Sequence, residues 1–579
     1  MTRARSLRLI VLGSFIWTLA CIAPAPAPEQ TPPPPPPPPV AATPLALEAQ
    51  LALAPPDTDY LAIRDLQAIV DRGLPWPVVD PSAPVADEPD LSSRARVVAF
   101  FTALRKWVDG PEPPLARSGI DLRGGLLLAE GYQRPPLLLL AGTKPDLTAT
   151  LLTTLPVPDS EYIACRGLAS APGMIACGTR DGAIDLHRPS AGAARRRELA
   201  AALPGVDLDA AMVLGHAPSL HTDFAATFGP QWQVVHFRST AGVHFRGLAR
   251  DFVPGPPTML RFVEPGASYV WVRVDGPAIR TNPSLTGKGP PIDDLIAMWT
   301  GEMLFAGSAD PATIQLRIGV EDAPRLARSF AATPSADEEP LPGFAHGKLV
   351  RALTSVKIGD QQVQALETRV AGVPEISVFA ALFGLTPRGQ WFVSHDSAAM
   401  VAGSSADDLA RLPVRPDATA ALAVLPPEAA ADVAAGRAIF LVHIDANALH
   451  TPAMSAALTA AEPFILADDL AGVRETLRAL AVVSRVVAWG TEIDGVVVVH
   501  VAATLLGNTR EDEGRAALAA LTAGDPAQAF TTLASAHPDS PLRPAYEQRA
   551  GTHGPAALAR SLVAPGLVSA LMIKKLAGL

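Results

Sequence analysis

The hydrophobic pattern changes period along the chain, and each change marks an element. Over residues 94–108, Val97, Phe100, Phe101, Leu104 and Val108 recur at helical spacing, the stripe an amphipathic helix buries. Ser92 or Ser93 can cap its start, and Asp109-Gly110 stops it. Other segments read as strands. Segments 161–167 and 173–179 are short β-prone runs around Ala171-Pro172-Gly173. A hairpin centred on residue 171 sets Cys165 opposite Cys177, where β-carbons about 4.5–5.5 Å apart permit a disulfide. Segment 231–248 reads as a second hairpin, turning at Ser239-Thr240-Ala241-Gly242. Val235 then meets Phe245 and Phe237 meets Val243, leaving His236, His244, Arg238 and Arg246 on a basic, solvated face.

This order recurs. Met174-Ile175-Ala176-Cys177-Gly178-Thr179 is echoed 226 residues later by Met400-Val401-Ala402-Gly403-Ser404-Ser405. The hairpin turning at Gly242 is echoed by 485–489, a turn at 492–495 and 496–504, after a helical insertion with Leu470, Val473, Leu477 and Leu480. Helices and strands do not alternate regularly, which favours antiparallel sheets over a doubly wound parallel one. The expected fold class is α+β: two related modules of antiparallel sheet with packed helices, at 51–330 and 344–505, joined by a linker at 331–343. A C-terminal segment, 506–579, follows. It reads as three short helices, 512–523, 526–536 and 544–550, then an apolar tail. The phrase from Ala517 to Leu542 is similar to one tetratricopeptide-type helical hairpin, and a single hairpin is read as a cap on the second module. The tail carries Lys574 and Lys575 and is broken by Pro565-Gly566, so it is too short to span a bilayer.

Composition narrows the function classes. The 579 residues are 49% hydrophobic and only 18% charged, unlike a disordered acidic chain. A net charge of −10 excludes a general nucleic-acid binder. Three cysteines exclude a disulfide-dense scaffold. Proline, at 59 residues, is about twice average usage, and twelve of these lie between Pro24 and Pro44.

The first residues read as an export address. Arg3, Arg5 and Arg8 form a positive region and Leu9 to Leu19 an apolar one of signal length. Thr18-Leu19-Ala20-Cys21 follows, with a small residue before the cysteine. This motif resembles the lipobox of bacterial lipoproteins, although Thr18 departs from the leucine that pattern prefers. The resemblance implies a signal peptide at 1–20, removed on export, and a lipid on Cys21 that anchors the chain to a membrane. Ile22 after the cysteine favours the outer membrane. Residues 21–50 are then anchor and spacer: eight consecutive prolines at 32–39 form a stiff polyproline II arm.

Candidate chemistry is sparse. The densest polar cluster is His216, His221, Asp223, His236 and His244, with Arg238 and Arg246 on the hairpin face. Histidine with carboxylate suits zinc or copper, and the arginines suit an anion; a solvated sheet face with scattered histidines is the plain alternative. His443-Ile444-Asp445 follows a strand, so Asp445 is expected to turn the chain. His500, inside the apolar run 496–501, is expected to be a satisfied core histidine. Asp293-Asp294 and Asp468-Asp469 suit helix N-termini. Gly287-Lys288-Gly289 fails as a phosphate loop, since Asn282 replaces the required glycine. No cofactor is implied. The sequence therefore points to an exported, lipid-anchored cell-envelope protein that binds or scaffolds other envelope components without catalysis. A metal- or anion-dependent hydrolase and a carrier of apolar ligands are the alternatives.

Overall fold

The computed structural model describes residues 47–54 and 59–65, most of 119–239 and 257–273, most of 292–373, then 388–403, 417–452 and most of 481–551, with a few single positions between. The expected signal, Cys21, helix 94–108, Asp468-Asp469, Gly287-Lys288-Gly289 and tail, and nearly all of the expected insertion helix and spacer, lie outside the described residues; the end of the 21–50 spacer, from Leu47 on, is instead helical. The chain is α+β. It divides into two compact units, one from residues 1–242, 493–498 and 505–523, the other from 243–492, 499–504 and 524–579.

In the first unit the strands are β1 (Asp59–Ile63), β2 (Leu126–Gly131), β3 (Arg134–Ala141), β4 (Ile163–Gly167), β5 (Met174–Thr179), β6 (Val213–Ala217), β7 (Thr222–Phe228) and β8 (Gln233–Ser239). Every pairing is antiparallel, in the order β4-β5-β3-β2-β1-β6-β7-β8. Strands β2 and β3 carry leucine runs and occupy the middle of the sheet, where both faces are covered. Helices α1 (Leu47–Leu51), α2 (Pro145–Thr153) and α3 (Pro189–Ala202) belong to the same unit. One face packs Leu127, Leu139, Ala176, Leu214 and Ala225 against Leu47 and Leu51 of α1 and Leu199 of α3. Burying each leucine contributes roughly 1.5–3 kcal/mol. Gln50 ties α1 to the sheet, its Nε2 donating to the carbonyls of Ile63 (2.8 Å) and Leu126 (3.0 Å).

The hairpin centred on residue 171 is as expected. Cys165 and Cys177 are register partners on β4 and β5, 4.1 Å apart at Cα, and form a disulfide. The turn closes because Gly173 takes φ +86°, a conformation that costs other residues a clash with their own Cβ.

The second unit contains β9 (Tyr269–Arg273), β10 (Trp299–Ala309), β11 (Ala312–Val320), β12 (Ala336–Pro340), β13 (Lys348–Ile358), β14 (Gln361–Ala371), β15 (Arg388–Ser394), β16 (Ser397–Gly403), β17 (Ala438–Asp445) and β18 (Val483–Ile493), whose last residue falls to the first unit. Its order is β12-β13-β14-β15-β16-β11-β10-β9-β17-β18, again antiparallel throughout. From β15 to β18 this repeats the order β4 to β7, with β12–β14 inserted. Its helices include α4 (Ile292–Met298), α5 (Ala323–Ala331), α6 (Thr419–Leu422) and α7 (Pro427–Ala434). Asp293 and Asp294 sit in the first turn of α4, as expected. Asp322 caps α5 through the Arg325 amide, and Leu326 and Phe330 pack on Val320, Leu366 and Val393.

Two boundaries differ from expectation. The first module does not run to residue 330, because β9, β10 and β11 pair with β17 and β16 of the second unit. The linker expected at 331–343 contains β12, whose acidic, proline-ended sequence hydrogen-bonds to β13 along the sheet edge. Charged residues and proline are what an edge strand uses to discourage further pairing, so composition alone resembled a linker.

After β19 (Val496–Leu505) the chain forms α8 (Glu511–Leu521), α9 (Pro526–Ala536) and α10 (Arg543–Arg549), close to the expected helices. Asp525 accepts from the Gln528 amide and Pro526 starts α9. Among the described residues no helix is long and apolar enough to cross a membrane.

Candidate functional site

Strands β6 and β7 place His216 directly opposite Asp223, and β1 places Tyr60 opposite His216. Directly opposed side chains share a face, so the three form one row. His216 Nδ1 meets Asp223 Oδ1 at 2.5 Å. The Tyr60 and His216 rings lie 5.6 Å apart at a tilt of 43°. The Asp223 carboxylate holds His216 above the ordinary imidazole value through this hydrogen bond, against the opposing effect of burial; Glu198 of α3 and Asp59 add to the rise. Burial raises the Tyr60 phenol.

The other expected site residues fall as follows. His236 is opposite Ala225 and buried, on the same face as Leu214. The expectation that His236 lies on a solvated face is therefore corrected: β8 pairs with β7 in a register that turns His236 toward the core. Arg238 holds the register position opposite Asp223. His221, His244 and Arg246 lie outside the described residues. Among the described residues no group of three or more His, Cys, Asp and Glu side chains could hold a metal ion.

A second Tyr–His pair occupies the corresponding strands of the other unit. Tyr269 on β9 is opposite His443 on β17, with rings stacked at 5.4 Å and 21°. Here both residues are fully buried. His443 Nδ1 donates to the Ala267 carbonyl at 2.7 Å, while His443 Nε2 and the Tyr269 hydroxyl have no hydrogen-bond partner. Burial, aided by the nearby Arg485 charge, pushes His443 down to about 3. The His443 imidazole is thus held neutral, whereas His216 is shifted in the opposite direction.

Asp445 does not act with His443. It caps the turn Ala446–His450, as expected, accepting from the Asn447 amide (3.2 Å) and side chain (3.1 Å), and from Gln548 Nε2 (3.0 Å). Burial raises its carboxyl despite these donors. Arg549 of α10 completes the network through Asn447 Oδ1 (3.0 Å) and the carbonyls of Val483 (2.8 Å) and Ala481. This network fastens α10 to the sheet. His500 is the satisfied core histidine expected, bonded to Thr491 Oγ1 at 2.6 Å and stacked on Trp489.

Sequence reasoning missed Glu302 and Arg317. Glu302 is buried on β10 and accepts from Thr258 Oγ1 (2.6 Å), the Met259 amide (2.9 Å) and Trp271 Nε1 (2.7 Å). The available signal was a single charge inside each of two apolar strands, WTGEMLFAGSA and ATIQLRIGV.

The chain matches no family model, no curated protein and no solved structure. Its chemistry therefore rests on its own geometry. A His–Asp pair can orient an imidazole for acid–base work. Here it also joins two neighbouring strands beneath α3, with Tyr60 closing one side.

Proposed function

We propose that this is an exported, lipid-anchored cell-envelope protein that binds or scaffolds other components at the outer membrane, without a catalytic role. The observation that carries the reading is the sequence from Arg3 to Cys21, with its positive start, apolar stretch and Ala20-Cys21, followed by the proline arm. The Cys165–Cys177 disulfide supports export, since such bonds persist in oxidising compartments. Cys21 is the lipidation residue in this reading, and residues 1–20 are removed. The same reading takes the two units as copies of one module. Their support is the shared strand order, and the placement of Met174–Thr179 and Ser397–Gly403 on corresponding strands.

The test is the N-terminal chemistry. Expressed from its own start codon in a Gram-negative host, the mature chain should begin at a diacylglyceryl-modified Cys21 and fractionate with outer membrane. Mass spectrometry of a Cys21→Ser variant should show no lipid. An unmodified cysteine in the native chain overturns the anchor.

A further inference from the structure

Arg317 sits in the middle of β11, fully buried between Leu304 and Ala399 of its neighbours. Its Nε donates to Gln315 Oε1 at 2.7 Å and its Nη1 to Ser397 Oγ at 3.0 Å, but Nη2 has no partner. Among the described residues no carboxylate pairs with it. A buried charge without a counter-charge is costly. The guanidinium rests on the Phe262 ring, 3.8 Å from its centroid.

Arg261 lies over the same ring at 4.9 Å. Its Nη2 donates to Asp396 Oδ2 at 3.0 Å, and its Nε is buried without a partner. The two residues of the β15–β16 turn, His395 and Asp396, are both exposed. His395 takes φ +52°, unusual outside glycine. Ser394, just before the turn, has a buried Oγ without a partner, while Ser397 just after it receives Arg317. Of the two guanidiniums only Arg261 pairs with a carboxylate, that of Asp396, and Arg317 Nη2, Arg261 Nε and Ser394 Oγ have no hydrogen-bond partner.

We infer that this cluster binds a small oxyanion of the phosphate class, with Asp396 as its displaceable stand-in. A tetrahedral dianion offers acceptors in several directions, which suits two guanidinium forks and a hydroxyl better than one carboxylate does. Asp396 is 67% exposed, and exposed ion pairs contribute only about 0–1 kcal/mol. A dianion arriving from solvent can therefore replace it on Arg261, and movement of the turn opens Ser394 and Arg317. Arg317 remains charged at neutral pH, because burial pushes it down only to about 9. This goes beyond the anchored-binding reading and does not depend on it.

The test is calorimetric titration of the full chain with inorganic phosphate, beside chloride at matched ionic strength. Phosphate should bind and raise the melting temperature where chloride does not. Arg261→Gln should weaken binding about tenfold, the loss of one charge-assisted contact. Asp396→Asn should tighten it several-fold, because a competitor is removed. Asp396 is exposed and Arg261 half-buried, and circular dichroism checks the folding of both variants. Glycerol 3-phosphate, run in parallel, separates sources: tighter binding than phosphate assigns the site to an esterified headgroup, equal or weaker binding to the free ion. No phosphate-specific heat, or an Asp396→Asn variant that binds no better, overturns the proposal.

Discussion

On the helix-covered face of the first unit, Leu127, Leu139, Leu214 and Ala225 meet α1 and α3. On the corresponding face of the second, Trp271, Glu302, Arg317 and His443 are buried beneath Met259–Phe262 and α7. The strand order is the same, so the connections and hairpin registers do not dictate what the face contains. An apolar face needs only close packing. A charged one holds only if its donors and acceptors are matched, and the second unit nearly achieves this. Glu302 receives three donors, Arg549 reaches three acceptors, and Arg317 falls short.

The largest expected effect breaks that matching. Glu302→Ala leaves the Trp271, Thr258 and Met259 donors unpaired, and should cost about 3–5 kcal/mol in denaturant unfolding. Glu302→Gln, which keeps an acceptor, should cost clearly less. If the two cost the same, the carboxylate is not what organises this face. Next, Leu139→Ala in the first unit should cost about 2–5 kcal/mol through the cavity it leaves. Replacing Cys165 and Cys177 together by alanine should lower stability by about 2–3 kcal/mol, the value for a loop of this size.

The two histidines sharpen the comparison, because their pH dependences have opposite sign. His443 is depressed to about 3 in the folded chain. Below the ordinary value near 6.5 the unfolded chain binds the proton and the folded chain does not. Stability therefore falls as pH drops from about 6.5 toward 3. His443→Phe should flatten the acid limb of the melting curve; an unchanged limb would assign acid loss to other groups. His216 is raised, so its stabilisation is complete below about 6.5 and lost as pH rises through the folded value. The pair is partly exposed, and Asp223→Asn should cost only about 1 kcal/mol, below that range. Proton NMR of the imidazoles should show His216 titrating above, and His443 far below, the free value.

Much of the fold was legible where the signal was local. The Cys165–Cys177 register followed from the turn at Gly173, because a short hairpin allows few alternatives. Helix α9 was legible from Asp525-Pro526. Registers spanning distant strands were not. The echo of Met174 in Met400 identifies the corresponding strands but is one residue out by face. Ala176 lies on the face of Leu139, whereas Val401 lies on that of Arg317 through Gln315, and Ala402 points to the other side. A one-residue shift exchanges the faces of a strand, and no local pattern distinguishes the two. The expected hairpin at 231–248 failed for His236 in the same way: its side was decided by β7, some ten residues upstream.

The sequence by itself determined the α+β class, the disulfide and the terminal helices, since each depends on residues near one another in the chain. Only the tertiary structure decided where the units divide, which strands neighbour one another, and which charges are buried. Glu302 meets Trp271, Arg317 meets Ser397, and Arg549 meets Asn447 across separations of 31, 80 and 102 residues. Over such distances partners are chosen by strand order and packing, which no local periodicity encodes.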